Sequence, residues 1–219
     1  MLPRLKSTRP RRLAVVLASG MLLAGCFTGE RPYFSDDPLA AGSQSGDVAI
    51  DSILARLDGV AASLTTFTAT YTSLQLFGAT QHSAAVAVAP QRRSVTVDSV
   101  RFLTEMGFPQ TCNLTSGTCV DGSIVANISD TGLTPDFYAA DSAKRLRRDA
   151  QAKIAPTVAR TTTIADQPAQ CVDVVVTGGT ATYCVLDNGL LAKLTDGDIT
   201  IDMQTFTLTI DEALFSSTN

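Results

Sequence analysis

Apolar and polar residues change rhythm several times along the chain. Leu13 to Leu23 is a continuous apolar run broken only by Ser19 and Gly20. It is too short for a membrane-spanning helix, which needs about 20 apolar residues. Between Asp47 and Leu64, Val48, Ile50, Ile53, Leu54, Leu57, Val60 and Leu64 recur at helical spacing and form one apolar stripe. From Thr66 onward the chain is rich in Val, Thr, Ile and aromatics. That chemistry predicts strands over 66–77, 82–89, 93–103 and 122–129. Gly78, Pro90, Gly107-Phe108-Pro109 and Ser116-Gly117 punctuate them. A second helix is expected from Thr134-Pro135-Asp136, with Thr134 as N-cap, and should end near Ile154, before Pro156.

The C-terminal part alternates most regularly. Val172, Val174 and Val176 alternate with Cys171, Asp173 and Val175, and Gly178-Gly179 then turns the chain. Asn188-Gly189 and Asp196-Gly197 are further hairpin signals. Folding across the three turns gives a four-stranded meander. One face carries Val172, Val174, Tyr183, Val185, Leu194, Ile199, Ile201 and Met203. A one-residue register slip would destroy that agreement. Several strands switch parity midway: Tyr71 to Leu74, Val97 to Val100, Met203 to Phe206. Such switches mark bulges or bends. The expected fold is α+β: a strongly curved antiparallel sheet, an incomplete barrel, with helices on its concave side. A β-sandwich with two accessory helices is the alternative.

The N-terminus adds a location. Arg4, Lys6, Arg9, Arg11 and Arg12 precede the apolar run with no acid among them, which is the form of a secretory signal. The run ends Leu23-Ala24-Gly25-Cys26. This resembles the lipobox of bacterial prolipoproteins, and the resemblance implies cleavage before Cys26 and diacylglyceryl transfer to its sulfur. Residues 1–25 are thus expected to be a signal peptide and 26–46 a lipidated cysteine with a Pro-broken, Gly/Ser-rich tether. Residues 47–219 are then one domain. Removing residues 1–25 takes away five basic groups and no acids, so the formal net charge moves from −4 to −9. An acidic domain does not suit nucleic acid, which needs a basic face. The cationic face of the second helix, Lys144, Arg145, Arg147, Arg148 and Lys153, is the exception to that balance. It reads first as a solvated surface, and otherwise as a dock for an acidic partner or lipid headgroup.

Little in the chain points to catalysis or metal binding. His82 is the single histidine and has no Cys or His at ligand spacing. Asp196, Asp198 and Asp202 lack the spacing of a calcium loop. No Gly-x-Ser-x-Gly elbow or phosphate loop occurs. The chain is therefore expected to be neither an enzyme nor a cofactor protein. With Cys26 used for lipid, Cys112, Cys119, Cys171 and Cys184 remain. An even count in an exported chain suggests disulfides. Each of Cys112–Cys119 and Cys171–Cys184 flanks a local turn signal, so these are the expected pairs. Free buried thiols or a zinc site are the alternatives.

The order of elements resembles the LolA-like and LppX/LprG-like lipoprotein fold. The matches are the Leu57-to-Tyr71 helix-to-strand entry, the helix from Thr134, the Cys171–Cys184 hairpin running into Gly189-Leu190-Leu191, and the 198–210 strand. The resemblance implies a carrier of lipid or another hydrophobic ligand, with Val172, Val174, Tyr183, Val185, Leu194, Ile199 and Ile201 as its wall. The other reading is a protein-interaction or envelope-stress sensor lipoprotein with a filled core; the sequence names no protein partner. In either case Cys26 should tie the chain to the extracytoplasmic face of a membrane. Replacing Cys26 with Ser should abolish membrane retention and the acyl increment in the intact mass. Unchanged retention, with no acyl mass on the wild type, would refute the anchor.

Overall fold

The computed structural model describes residues 37–63 and 65–217. The signal peptide, Cys26 and the first part of the tether lie outside the described residues. Helix α1 spans Val48–Ser63. Six strands follow: β1 (Phe67–Gln75), β2 (Thr80–Ala89), β3 (Arg92–Val97), β4 (Val100–Glu105), β5 (Phe108–Asn113) and β6 (Thr118–Asp121). A 3₁₀ turn (Val125–Ile128) and helix α2 (Ala140–Gln151) come next. The last strands are β7 (Val158–Ile164), β8 (Gln167–Val176), β9 (Gly179–Leu186), β10 (Leu191–Thr195) and β11 (Ile199–Thr207), and a 3₁₀ turn (Glu212–Phe215) follows.

The eleven strands of the described residues join one open antiparallel sheet, in the order β6-β5-β4-β3-β2-β1-β11-β10-β9-β8-β7. It is two local meanders fused through a single long-range pairing, β1 with β11. Both helices lie on one face. From α1, Ile50, Ile53, Leu54, Leu57 and Val60 are buried, and from α2 Ala143 and Leu146. They share one apolar cluster with Phe67, Tyr71, Val86, Val95, Phe102, Val172 and Tyr183 from both meanders. The opposite face is partly covered by the C-terminal segment. There Arg101 donates to the carbonyls of Ala213 (3.1 Å) and Ser216 (2.5 Å), and Ser94 Oγ to that of Leu214 (2.5 Å).

Several expected boundaries change, each for a local reason. The 93–103 stretch is two strands, because Asp98 (φ +48°) and Ser99 make a tight turn; its parity switch is that turn, not a bulge. The switch at Met203 is a bulge: Met203 faces Tyr71, Thr205 faces Thr70, and Gln204 is extra. On β1 the inward series runs on from Tyr71 to a buried Ser73, while Leu74 and Leu76 turn outward. The expected strand over 122–129 is a loop with a 3₁₀ turn, and β6 ends before it. Residues 135–139 form turns, so α2 begins at Ala140 instead of Thr134; Thr134 Oγ1 still bonds the Asp141 carboxylate in its first turn. The sequence pattern does not announce β5, β6 or β7.

The tether is also shorter than its composition implies, because residues 42–46 are tied down. Gly42 N–H donates to Asp58 Oδ2 (2.8 Å) and Ser45 N–H to Asp51 Oδ1 (2.6 Å). Arg147, buried on α2, donates to the Ser43 carbonyl (3.0 Å) and pairs with Asp58. Asp47 caps α1 through the N–H of Ala49 (3.1 Å) and meets Lys153 Nζ (2.5 Å) and Thr157 Oγ1 (2.7 Å).

Two tests follow from these contacts. Gly189 sits at φ +90°, and a Cβ there would lie 2.2 Å from the Arg56 carbonyl of α1. Gly178 has φ +99° with open space around it. Gly189→Ala should therefore cost about 2–4 kcal/mol, strain plus collision, whereas Gly178→Ala should cost about 1–2 kcal/mol of strain alone. Urea unfolding of both variants measures the difference, and equal costs would contradict the close approach. The second test is acid stability. Lys153, then Thr157, hold the Asp47 carboxyl down at about 2, against an ordinary 3.8. A depressed carboxyl stabilises the fold fully above pH 3.8, and that contribution is lost as pH falls through about 2. Lys153→Met should flatten the pH dependence of the urea midpoint between pH 4 and 2.

Candidate functional site

The seven wall positions come together on one face. Val172 faces Tyr183, Tyr183 faces Leu194, Leu194 faces Ile201, and the row continues into β1 at Ser73. All seven are 3% exposed or less, because α1, α2 and the loop before α2 cover them. They are buried core positions in this conformation. Tyr183 shows how full the layer is: its hydroxyl donates to Asp149 of α2 at 2.5 Å. Burial first, then the Asp149 charge, push its phenol far above the ordinary range, so it remains a neutral donor.

Space remains at the margins of this layer. One cleft of about 380 Å³ runs between α1 and the β7–β8 edge, past Ile53, Ala159 and Val172. Another, of about 310 Å³, lies between α2 and β10–β11, over Phe137, Leu194 and Ile201. A third, also about 310 Å³, opens where α1 meets the start of β1. Its lining is mostly apolar: Leu57, Val60, Phe67, Val88, Tyr138 and Ala41 of the arriving chain. Its floor belongs to an aromatic series running Phe206, Phe67, Tyr138, Phe137, Tyr71, with successive centroids 6.3, 6.2, 5.8 and 5.0 Å apart. The polar groups at this cleft are Asp58 and the Arg93–Asp136 ion pair, with Tyr138 Oη 3.4 Å from Arg93 Nη1. Burial raises the Tyr138 phenol, so a neutral hydroxyl stands beside the apolar floor. The sequence pattern marks none of Val60, Phe67, Val88 and Tyr138 as a site residue.

The cationic face of α2 divides. Arg147 is buried against Asp58, Arg145 pairs with Asp196, and Lys153, which lies past the end of α2, pairs with Asp47. Lys144 and Arg148 are exposed at the α2–β10 cleft. The single histidine is held within the sheet: His82 Nδ1 lies 2.7 Å from Asp98 Oδ2, and Ser73 is its direct cross-strand neighbour. Ser, His and Asp thus fall in a row, but Ser73 is fully buried, so no substrate could reach it in this conformation. Among the described residues, no three His, Cys, Asp or Glu side chains cluster as a metal site would require. Cys112 joins Cys119 across β5–β6, and Cys171 joins Cys184 across β8–β9, each pair directly opposed in its ladder. Among the described residues, no helix is long and apolar enough to cross a membrane.

No family model matches the chain, and no curated protein matches it significantly. Among solved structures it is similar to MucB at 12% identity and a TM-score of 0.49, covering 78% of this chain and 63% of that one. It is similar to LprF from Mycobacterium bovis at 12% identity and 0.38, covering 73% and 96%. A LolA superfamily protein from Nitrosomonas europaea matches at 11% identity and 0.36, covering 77% and 97%. The chain thus spans less than two thirds of MucB, and likenesses this distant carry no functional argument.

Proposed function

We propose that the mature chain is a lipid-anchored extracytoplasmic binding protein. Its ligand is a small hydrophobic or amphipathic molecule, taken in the cleft between α1 and the start of β1. The supporting observation is that cleft: about 310 Å³, floored by Phe67, Val88 and Tyr138. Ligand pockets begin at about 300 Å³ and combine an apolar lining with a few polar groups. Here Arg93, Asp136 and the Tyr138 hydroxyl would orient a polar end. The anchor rests on Leu23-Ala24-Gly25-Cys26 and the basic and apolar stretches before it.

The filled layer beneath the helices favours a second reading, a protein-interaction lipoprotein with no small ligand. One pair of variants separates the two. Val88 is half-buried at the cleft, so Val88→Trp should fill it with little loss of stability. Val174 is fully buried, so Val174→Trp should overpack the core at about 1–3 kcal/mol or more. Uptake of a fluorescent fatty acid should fall at least tenfold in Val88→Trp, with the melting temperature nearly unchanged. Equal uptake by wild type and Val88→Trp, or none by either, would favour the interaction reading.

A further inference from the structure

The tether meets the sheet at one end, and that end exposes several apolar side chains. Ala41 lines the same cleft as Phe67, Val88 and Arg93. Those residues stand in the row just behind the β2–β3 turn at Pro90-Gln91. The register puts the β4–β5 turn, Met106-Gly107, at that end too, because Arg92 faces Glu105 and Glu105 faces Phe108. Thr68 faces Thr207, so Leu208 leaves β11 there as well. Met106 is 68% exposed, Phe108 75% and Leu208 63%. With the exposed Pro90 between them they form a rim about 24 Å wide, five strand spacings from β5 to β11. Met106 occupies the two-residue turn of its hairpin at φ +49°, a conformation few side chains adopt.

The length of the tether turns this rim into a geometric argument. Residues from Gly42 on are fastened to Asp58, Arg147 and Asp51. Twelve residues lead from Cys26 to Pro38, so even a fully extended chain spans at most about 40 Å. A domain held that close by this end turns it toward the surface that holds the lipid. We infer that Pro90, Met106, Phe108 and Leu208 form a membrane-docking rim, which inserts into the interface of the bilayer carrying the anchor. The contact is apolar: Arg92 is committed to Glu212 and to the Phe215 ring, and Arg93 to Asp136. Docking therefore needs no anionic lipid and does not weaken with salt.

This inference rests on the proposed lipid anchor, and the test separates the two. The chain contains no Trp, so one introduced Trp is a site-specific reporter. Phe108→Trp reports the rim; Phe77→Trp reports the opposite end, where Phe77 is 95% exposed. Each mature chain is placed in phosphatidylcholine vesicles through its own lipid, and intact mass confirms the acyl group. A second set carries Cys26→Ser and an N-terminal histidine tag held by nickel-chelating lipid, so a failed anchor reading leaves the docking test intact. On vesicles, the indole emission of the Phe108→Trp variant should move to shorter wavelength. Brominated acyl chains should quench it about twofold or more, as insertion by about 5–10 Å requires. The Phe77→Trp reporter should behave as in buffer. Met106→Trp repeats the measurement should Phe108→Trp fail to fold. An unshifted rim reporter, or a shift at the Phe77 position instead, overturns the inference.

Discussion

One pairing holds the two halves of this molecule together. Every other ladder in the sheet joins strands adjacent in sequence, whereas β1 and β11 meet across 124 to 139 residues, from Gln75 opposite Ile199 to Thr68 opposite Thr207. Closing a loop of that length costs about 4 kcal/mol more in chain entropy than closing the tightest turn. Interactions on both faces offset it. On the helix-bearing face Phe206 packs beside Phe67. On the other, the hydroxyls of Thr70 and Thr205 share a hydrogen bond at 2.7 Å, and the Asp211 N–H bonds Thr68 Oγ1 at 3.1 Å. Gln204, the extra residue, lets Met203 stay inward opposite Tyr71 while the strand beyond it changes face to put Phe206 inward as well. Without that bulge Phe206 would point away from Phe67.

The same pairing shapes the candidate site. The aromatic series Phe206, Phe67, Tyr138, Phe137, Tyr71 crosses from β11 over β1 to the loop before α2. Leu191 N–H donates to the Tyr138 carbonyl at 2.9 Å, tying that loop to β10. Gly189, at the preceding turn, lets α1 come close enough for Leu57 and Val60 to meet Phe67 and Val88 at the cleft. The cleft thus lies where three independently placed segments converge.

Legibility followed local chemistry. The C-terminal meander was readable because Gly178-Gly179, Asn188-Gly189 and Asp196-Gly197 announce its turns and valines alternate between them. Strand β7 was not. Its turn to β8 is Ala165-Asp166, two non-glycine residues at φ +49° and +59°, and the strand is an exposed edge with no apolar alternation. The β3–β4 turn is hidden in the same way by Asp98-Ser99. The shared face of Val172, Tyr183 and Leu194 followed from alternation, but whether helices fill it depends on packing distance, which no periodicity encodes. The cleft residues Val60, Phe67, Val88 and Tyr138 come from separate elements and carry no common spacing.

The size of any ligand follows from what would have to move to admit it. Occupying the whole row from Val172 to Ile201 means lifting α1 from the sheet and exposing Ile50, Ile53, Leu54, Leu57 and Val60. At about 1.5–3 kcal/mol for each side chain, that is about 8–15 kcal/mol. The total stability of a domain is about 5–15 kcal/mol, so the opened state would be close to unfolding unless the ligand restored nearly all of the lost burial. Parting Arg147 from Asp58 and Lys153 from Asp47, which tie α1 and its lead-in to α2 and the segment after it, adds to that cost. A ligand at the α1–β1 cleft displaces none of these groups. Its apolar part is limited to a space of about 310 Å³, with Arg93 and Tyr138 beside its polar end. A short acyl or aromatic group fits such a space; a many-chained lipid buried along the whole sheet does not.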